Sequence, residues 1–447
     1  MKSNNKSGDN LYSLNDGANI AVIGGGPSGT FFSIFAYKMA KMMGKEIKIT
    51  IFEPKEFQKE GPAGCNKCGG VISERLIQTL AIEGINIPPE VVQRGIDSYY
   101  FYTQNGSVHI KSPGMEKRIA TVYRGGGPKD IKEKNKSFDQ FLLDYAIQEG
   151  ASHEPLKIDE IKYRDKPVLF SKGKELMEAD LVVGAFGVNS PTADIFEKLG
   201  FGYQKPLLTT ASNAEIHLGE EKIRKYFGSS IHLFLLPVEN IKFAAIIPKG
   251  DYATVCILGK NINPQTVKKL LGHPVVRNIF PDEILNEHSC QCFPKMNLRR
   301  AKNQFADRIV AIGDAGSTRL LKDGLGAAYF LGKAAAKTAI FYGVSAKHFE
   351  KYFTTSSRAV DIDNIYGRFL FSTTGIYRNN QILSGGMLEV VKKEQRRSDK
   401  YRILSSVLWD MFTGSELYKN IFFRTLNFKM IINLLTEFLN ALWRKLR

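Results

Sequence analysis

Asn19-Ile20-Ala21-Val22-Ile23-Gly24-Gly25-Gly26-Pro27-Ser28-Gly29-Thr30 is the stretch that decides the reading of this chain. Ile20 to Ile23 form a short apolar run, as expected of a strand buried on both faces. The glycines then follow the spacing G-x-G-x-x-G, with Gly24, Gly26 and Gly29 in the three glycine positions, and residues 30–43 read as a helix. In such a turn Gly24 permits the tight bend and Gly26 lets the backbone approach a pyrophosphate. Gly29 lets the helix pack closely on the strand, and the helix N-terminus at Pro27 and Ser28 faces the anion.

A glycine turn between strand and helix can also occur without a ligand, so its surroundings matter. Residues 46–52 read as a second strand ending at Glu53. An acid placed about twenty residues beyond the glycines can accept hydrogen bonds from adenosine ribose hydroxyls. It also disfavours a ribose 2′-phosphate, so the site suits FAD or NAD better than NADP. Further along, residues 308–312 form a strand followed by Gly313, Asp314, Ala315 and Gly316. Asp323, Gly324, Leu325 and Gly326 then lead into a small-residue helix over 327–341. This second strand, turn and helix can bring amides and a carboxylate beside a cofactor.

With both elements in place, the chain resembles the FAD-dependent oxidoreductases of the para-hydroxybenzoate-hydroxylase structural class. The resemblance implies bound FAD, with Gly313 and Asp314 at the ribityl and pyrophosphate. The helix N-terminus at Gly324 and Gly326 would face the isoalloxazine. Three further stretches are similar to geranylgeranyl reductases. Cys65-Asn66-Lys67-Cys68-Gly69-Gly70-Val71-Ile72 matches their Cys-x-x-Cys-Gly-Gly-x-Ile segment, and residues 137–143 match their Phe-Asp-x-x-Leu helix. Ile246-Ile247-Pro248-Lys249-Gly250-Asp251 resembles their Phe-Pro-Lys-Gly strand element.

That resemblance implies an α/β fold: a doubly wound FAD-binding domain, an inserted antiparallel-sheet substrate domain and a helical C-terminal extension. The expected divisions are a flexible leader, 1–18, and a discontinuous FAD domain, 19–95, 120–205 and 300–345. The substrate domain takes 96–119 and 206–299, and a basic helical region takes 346–447. The implied chemistry is hydride transfer from reduced flavin to a carbon–carbon double bond of an isoprenoid or lipid-like substrate. The flavin carries the hard step, while the protein supplies orientation, a dry apolar slot and a proton path. Cys68 would sit near the flavin as the candidate catalytic residue, with Gly69 and Gly70 lining the cofactor. Arg124 takes the position of the family's flavin-contacting arginine.

Two departures from the pattern stand out. Related hydroxylases carry Ala-Asp-Gly-x-x-Ser after a mid-chain strand, whereas this chain has Ala185-Phe186-Gly187-Val188-Asn189-Ser190. Phe186 in place of the acid argues against direct reduction by NADPH and leaves the donor open between NADPH and a ferredoxin-like protein. Arg124-Gly125-Gly126-Gly127-Pro128 and the lysine-rich stretch to Lys136 read as an insertion, alternatively a surface loop.

The five cysteines are odd in number, which argues for a reducing, cytoplasmic setting. Cys65 and Cys68 form a C-x-x-C, and Cys290 and Cys292 a C-x-C. Their separation does not suit a compact zinc module, so no metal is expected. His217, His232, His273 and His288 show no triad or metal spacing.

The formal charge is +17, from 62 Lys+Arg against 45 Asp+Glu. From Ser345 onward there are 17 Lys+Arg and 9 Asp+Glu, so nearly half of the excess lies in the tail. No nucleic-acid module is recognisable, and nucleic acid is not an expected partner. The most apolar stretch of the tail, 422–443, is interrupted by Arg424, Lys429 and Glu437, so no spanning helix is expected. At its end, Phe428, Ile431, Ile432, Leu435, Phe438, Leu439 and Leu442 fall on one side of a helix. Lys429, Asn433, Glu437, Asn440 and Arg444 take the other. Such a stripe packs on the protein's own body, or it lies on an anionic membrane at the inner face of the cell. Two alternatives to the reductase follow from the same residues: a flavin monooxygenase or hydroxylase acting on a hydrophobic substrate, and a membrane-associated flavin protein that only relays electrons.

Overall fold

The computed structural model describes residues 11–112, 119–129, 136–280, 290–397 and 402–446. Positions 1–10 of the expected leader and 130–135 of the lysine-rich stretch lie outside them, as does His288. The chain divides into two units, one of residues 1–59, 137–208 and 297–362, the other of 60–136, 209–296 and 363–447.

Unit one is built on a six-stranded sheet in the order Phe305–Ala306, Ile309–Ala311, Leu181–Gly184, Ala18–Ile23, Ile47–Phe52, Ser152–Glu154. All neighbours are parallel except the first pair. Residues Ile20, Ala21, Val22 and Ile23 are all buried, because the strand is covered on both faces, which is why it reads as an unbroken apolar run. Helix Pro27–Met42 packs against both Phe138–Gln148 and Gly324–Phe341. A three-stranded antiparallel meander, Glu160–Tyr163, Pro167–Ser171 and Lys174–Glu178, contributes Ile161 and Leu169 to one core with Ala21, Ile23 and Val182 of the sheet. Residues 11–17, placed by sequence in the leader, are tied into this unit. Leu14 is buried, Val344 donates its N–H to the Tyr12 carbonyl at 2.8 Å, and Arg308 reaches the Leu11 carbonyl at 2.8 Å.

Unit two carries a seven-stranded sheet in the order Cys290–Cys292, Ser212–His217, Tyr252–Gly259, Ile241–Lys249, Ser230–Phe234, Ser98–Thr103, Gly106–Lys111. It is antiparallel except where Ser98–Thr103 meets Ser230–Phe234, since those two strands come from separate passages of the chain. Strands Val71–Ile72, Ile119–Val122 and Val92–Ile96 form a smaller sheet, joined to the larger by the Thr121 hydroxyl, which donates to the Pro248 carbonyl at 3.0 Å. Sequence reasoning placed residues 60–95 and 120–136 with the nucleotide domain; these pairings hold them in unit two. Helices Gln381–Gln395, Ile403–Thr413, Tyr418–Thr425 and Phe428–Leu446 also belong here. Trp409 meets Tyr99 edge-on at 5.0 Å, and Phe412 and Phe371 stand against Phe243 at 5.2 and 5.7 Å. The C-terminal helices thereby supply the apolar cover of that sheet.

Candidate functional site

In unit one the carboxyl edge of the parallel sheet gathers the expected nucleotide residues. Ile23 lies level with Phe52 on one side and Gly184 on the other, and Gly184 lies level with Ala311. The segments leaving these four strands therefore start in one row, at Gly24, Glu53, Ala185 and Ile312. A crevice outside the carboxyl ends, where neighbouring strands lead away in opposite directions, is where open α/β sheets take their ligands.

The glycines are required by close approach. Gly24 has φ +111°, and a Cβ there would stand 2.5 Å from the Ala185 carbonyl oxygen. A Cβ on Gly29 would overlap the carbonyl oxygen of Gly24. Gly26, in an extended conformation, precedes helix Pro27–Met42, whose first turn has no capping side chain and no acid. The positive end of this helix is thus left for an anion.

Glu53 is fixed by two backbone donors. Gly25 donates to its Oε2 at 3.0 Å and Lys55 to its Oε1 at 2.9 Å. Burial raises its pKa, opposed by those two N–H groups. Each oxygen has a further lone pair with which to receive a ribose hydroxyl.

The late turn lands on the early one. Gly313 has φ +60°, and a Cβ there would overlap the Ser28 hydroxyl. Asp314 beside it is exposed, and its carbonyl accepts from Asn297 Nδ2 at 2.9 Å. Asn297 is buried, and its Oδ1 has no partner among the described residues. That acceptor, missed in the sequence because a lone asparagine carries no spacing signal, can receive a ligand hydroxyl or amide. Gly324 and Gly326 open helix Gly324–Phe341. Asp323, in the left-handed region at φ +57°, accepts the Gly326 N–H at 3.2 Å and pairs with Arg319 at 2.9 Å. The Gly326 amide is therefore already engaged by its own chain. Further along, a Cβ on Gly332 would stand 3.1 Å from the backbone of Ser28 and of Phe32, so the two motif helices cross at that glycine. Phe186, in the place of the hydroxylases' acid, is buried against Phe196 at 4.8 Å and belongs to the core.

Cys68, Gly69, Gly70 and Arg124 belong to unit two. The C-x-x-C loop is pinned by its own sulfurs: Lys67 donates its N–H to Cys65 Sγ at 3.1 Å, and Gly70 donates to Cys68 Sγ at 3.4 Å. Gly70 has φ +64°; a Cβ there would overlap the Val122 carbonyl and reach 2.9 Å from Lys249 Nζ. The triple glycine after Arg124 is not a surface loop: Gly125, Gly126 and Pro128 are buried, and Gly61 donates to Gly127 at 2.8 Å.

All five cysteines are free, half-buried and in this unit. Register explains how they gather. Asn213 pairs with Cys292 on one side and Cys256 on the other, and Glu215 pairs with Cys290. Directly opposed residues share a face, and Asn213 is on the face covered by the C-x-x-C loop, donating to the Lys67 carbonyl at 2.9 Å. Consistently, a Cβ on Gly69 would stand 3.5 Å from Cys256 Sγ. Burial, then the neighbouring Cys65 and Cys290, pushes the Cys292 thiol up to about 12. Among the described residues no three His, Cys, Asp or Glu side chains are grouped as metal ligands.

Beside this loop lies a buried charge that sequence reasoning treated only as part of a strand motif. Lys249 is 1% exposed, 3.6 Å from Glu215 and 4.9 Å above the Tyr123 ring. Thr254 donates to Glu215 at 2.8 Å. The Tyr123 hydroxyl is buried without a partner among the described residues, and burial, then Glu215, holds its pKa well above the ordinary value.

No protein-family model and no curated protein matches the chain. Solved structures do. A geranylgeranyl bacteriochlorophyll reductase-like protein from Thermoplasma acidophilum superposes with TM-score 0.61 at 15% identity, over 94% of this chain and 96% of that one. The flavin-dependent brominase Bmp2 gives 0.58 at 15% identity, over 83% and 92%. A flavoprotein/dehydrogenase from Cytophaga hutchinsonii gives 0.56 at 16%, over 90% and 98%. The chain thus has the fold shared by flavin-dependent oxidoreductases and halogenases, and at these identities the likeness speaks for the fold alone.

Proposed function

We propose that this chain is an FAD-dependent oxidoreductase that reduces a carbon–carbon double bond of an isoprenoid or lipid-like substrate. The observation that carries the cofactor assignment is the meeting of Gly313 with Ser28, which joins the early and late turns into one cradle closed to side chains. Its residues fit the group. The N-terminus of helix Pro27–Met42 would receive the pyrophosphate, Glu53 the adenosine ribose, and the Gly313–Asp314 turn with Asn297 Oδ1 the ribityl side. When bound, reduced FAD supplies the hydride.

The reductase reading rests on the Cys65–Gly70 loop with its adjacent lysine, and on the shared fold with a reductase-like protein. A hydride on one carbon requires a proton on the other. Cys68 bears one such proton, and the Lys249–Glu215 pair with Tyr123 holds others in a region sheltered from water. Phe186, locked in the core where the hydroxylases carry an acid, argues against direct reduction by NADPH. The electron donor is NADPH or a ferredoxin-like protein.

The test is anaerobic single turnover. Protein reconstituted with FAD and photoreduced is mixed with a geranylgeranyl lipid, and products are read by mass. Flavin oxidation with gain of two hydrogens per double bond is expected. Oxygen incorporation after admitting air would establish a monooxygenase instead, flavin oxidation without product an electron relay, and failure to bind FAD would end the whole reading.

A further inference from the structure

The C-terminal helix Phe428–Leu446 uses its two sides differently from what its sequence suggests. Met430, Leu434 and Glu437 turn inward along helix Gln381–Gln395, where Glu437 pairs with Lys393 at 2.6 Å. Phe438 lies against Gly386, which has no side chain to keep it away. The rest of the apolar stripe is left outside: Phe428 is 77% exposed, Leu439 66% and Trp443 61%, with Ile432 and Leu435 exposed between them. The preceding helices carry exposed aromatics of their own. Phe369 is exposed and lies 5.2 Å from Phe422, and Phe423 next to it is exposed as well. A soluble surface does not ordinarily carry so many large apolar groups in one place.

Charge identifies what covers it. From Tyr418 to the end there are six Lys and Arg and a single acid, Glu437, which is buried and neutralised. Elsewhere in the tail Asp363, Glu394 and Asp410 are also buried, the last against Arg424 at 2.6 Å. Arg368, Lys419 and Lys429 are exposed. Glu389 and Glu416 are half-exposed but paired, with Lys392 at 2.9 Å and Arg75 at 3.5 Å, so these acids face in or are neutralised while cations face out around an apolar strip that ends in Trp443. A second copy of the chain would set like charges against each other. An anionic bilayer offers both an acyl layer for the side chains and headgroups for the cations.

We propose that the outward face of the last two helices, Tyr418–Thr425 and Phe428–Leu446, docks on an anionic lipid bilayer and lies in its interface without crossing it. Among the described residues no helix is long and apolar enough to span. This rests on the surface alone and is independent of the FAD assignment.

The test uses the full chain floated with vesicles of phosphatidylcholine alone or mixed with phosphatidylserine. Binding is expected to the mixed vesicles and to weaken with salt. Leu435→Glu with Leu439→Glu should lower it at least about tenfold, since two apolar side chains leave the membrane. Lys419→Glu with Lys429→Glu should lower binding to the mixed vesicles selectively. These positions are exposed, and an unchanged melting temperature checks that the variants fold. A second readout uses fluorescence. Of the two tryptophans Trp409 is 1% exposed, so quenching by brominated lipid reports Trp443. Absence of flotation with either vesicle, equal flotation of the Leu435/Leu439 variant, or a concentration-dependent dimer abolished by that variant would each overturn the proposal.

Discussion

Gly313 stands directly against the hydroxyl of Ser28, with no room between them for a methyl group. Gly313→Ala must relieve that overlap and also adopt φ +60°, which strains a side chain. A loss of about 1–3 kcal/mol in stability is expected, with reduced flavin content after purification. Ser28→Gly in the same chain should restore part of both. Thermal unfolding and flavin absorbance measure the pair; full stability and loading in Gly313→Ala would remove the cradle.

Glu53 is held by Gly25 and Lys55 with lone pairs to spare. Glu53→Ala should weaken FAD binding about tenfold or more, the worth of a hydrogen bond to a charged group. Glu53→Gln, which keeps one acceptor oxygen, should lose less. Titration of apoprotein with FAD gives both affinities, and equal affinity in all three chains would exclude a ribose contact.

Lys249 carries its charge at 1% exposure with Glu215 beside it. Glu215→Gln leaves that ammonium buried without its counter-charge and should destabilise by about 3 kcal/mol. Adding Lys249→Met should recover much of the loss. Denaturant unfolding of the two chains separates a buried ion pair from simple crowding.

His232 is buried, bonded through Nδ1 to the Tyr102 hydroxyl at 3.0 Å, and its pKa is lowered to about 3, first by burial and then by His109. Its depressed native value makes the unfolded chain the stronger proton binder. The stability is complete above the unfolded pKa near 6.5 and is lost as pH falls toward 3, at about 1.4 kcal/mol per pH unit. Unfolding of the wild type and of His232→Leu between pH 7 and pH 5 should show the smaller slope in the variant, whatever its absolute stability.

The strand, bend and helix at this sheet edge were legible because each part is dictated locally. The buried strand at Ile20–Ile23, the bend at Gly24 and the close packing at Gly29 leave marks within a dozen residues. Partners brought together by sheet register leave none. Cys256, Asn213 and Cys292 form one row only because three distant strands pair in that register. Asn297 and the Lys249–Glu215 pair were hidden for the same reason. The tail was legible as a helix but not in its rotation. Glu437 belongs to the polar side by spacing, yet Lys393 turns it inward and the apolar stripe outward.

That inward turn has a consequence for control. Between Tyr418 and Leu446 the outer face presents no carboxylate, its one acid being paired beneath the helix. It carries no histidine either, so mild acidification neither strengthens nor weakens its positive field. Such a face does not act as a sensor of pH. It responds to the ionic strength around it and to the charge of whatever surface it meets.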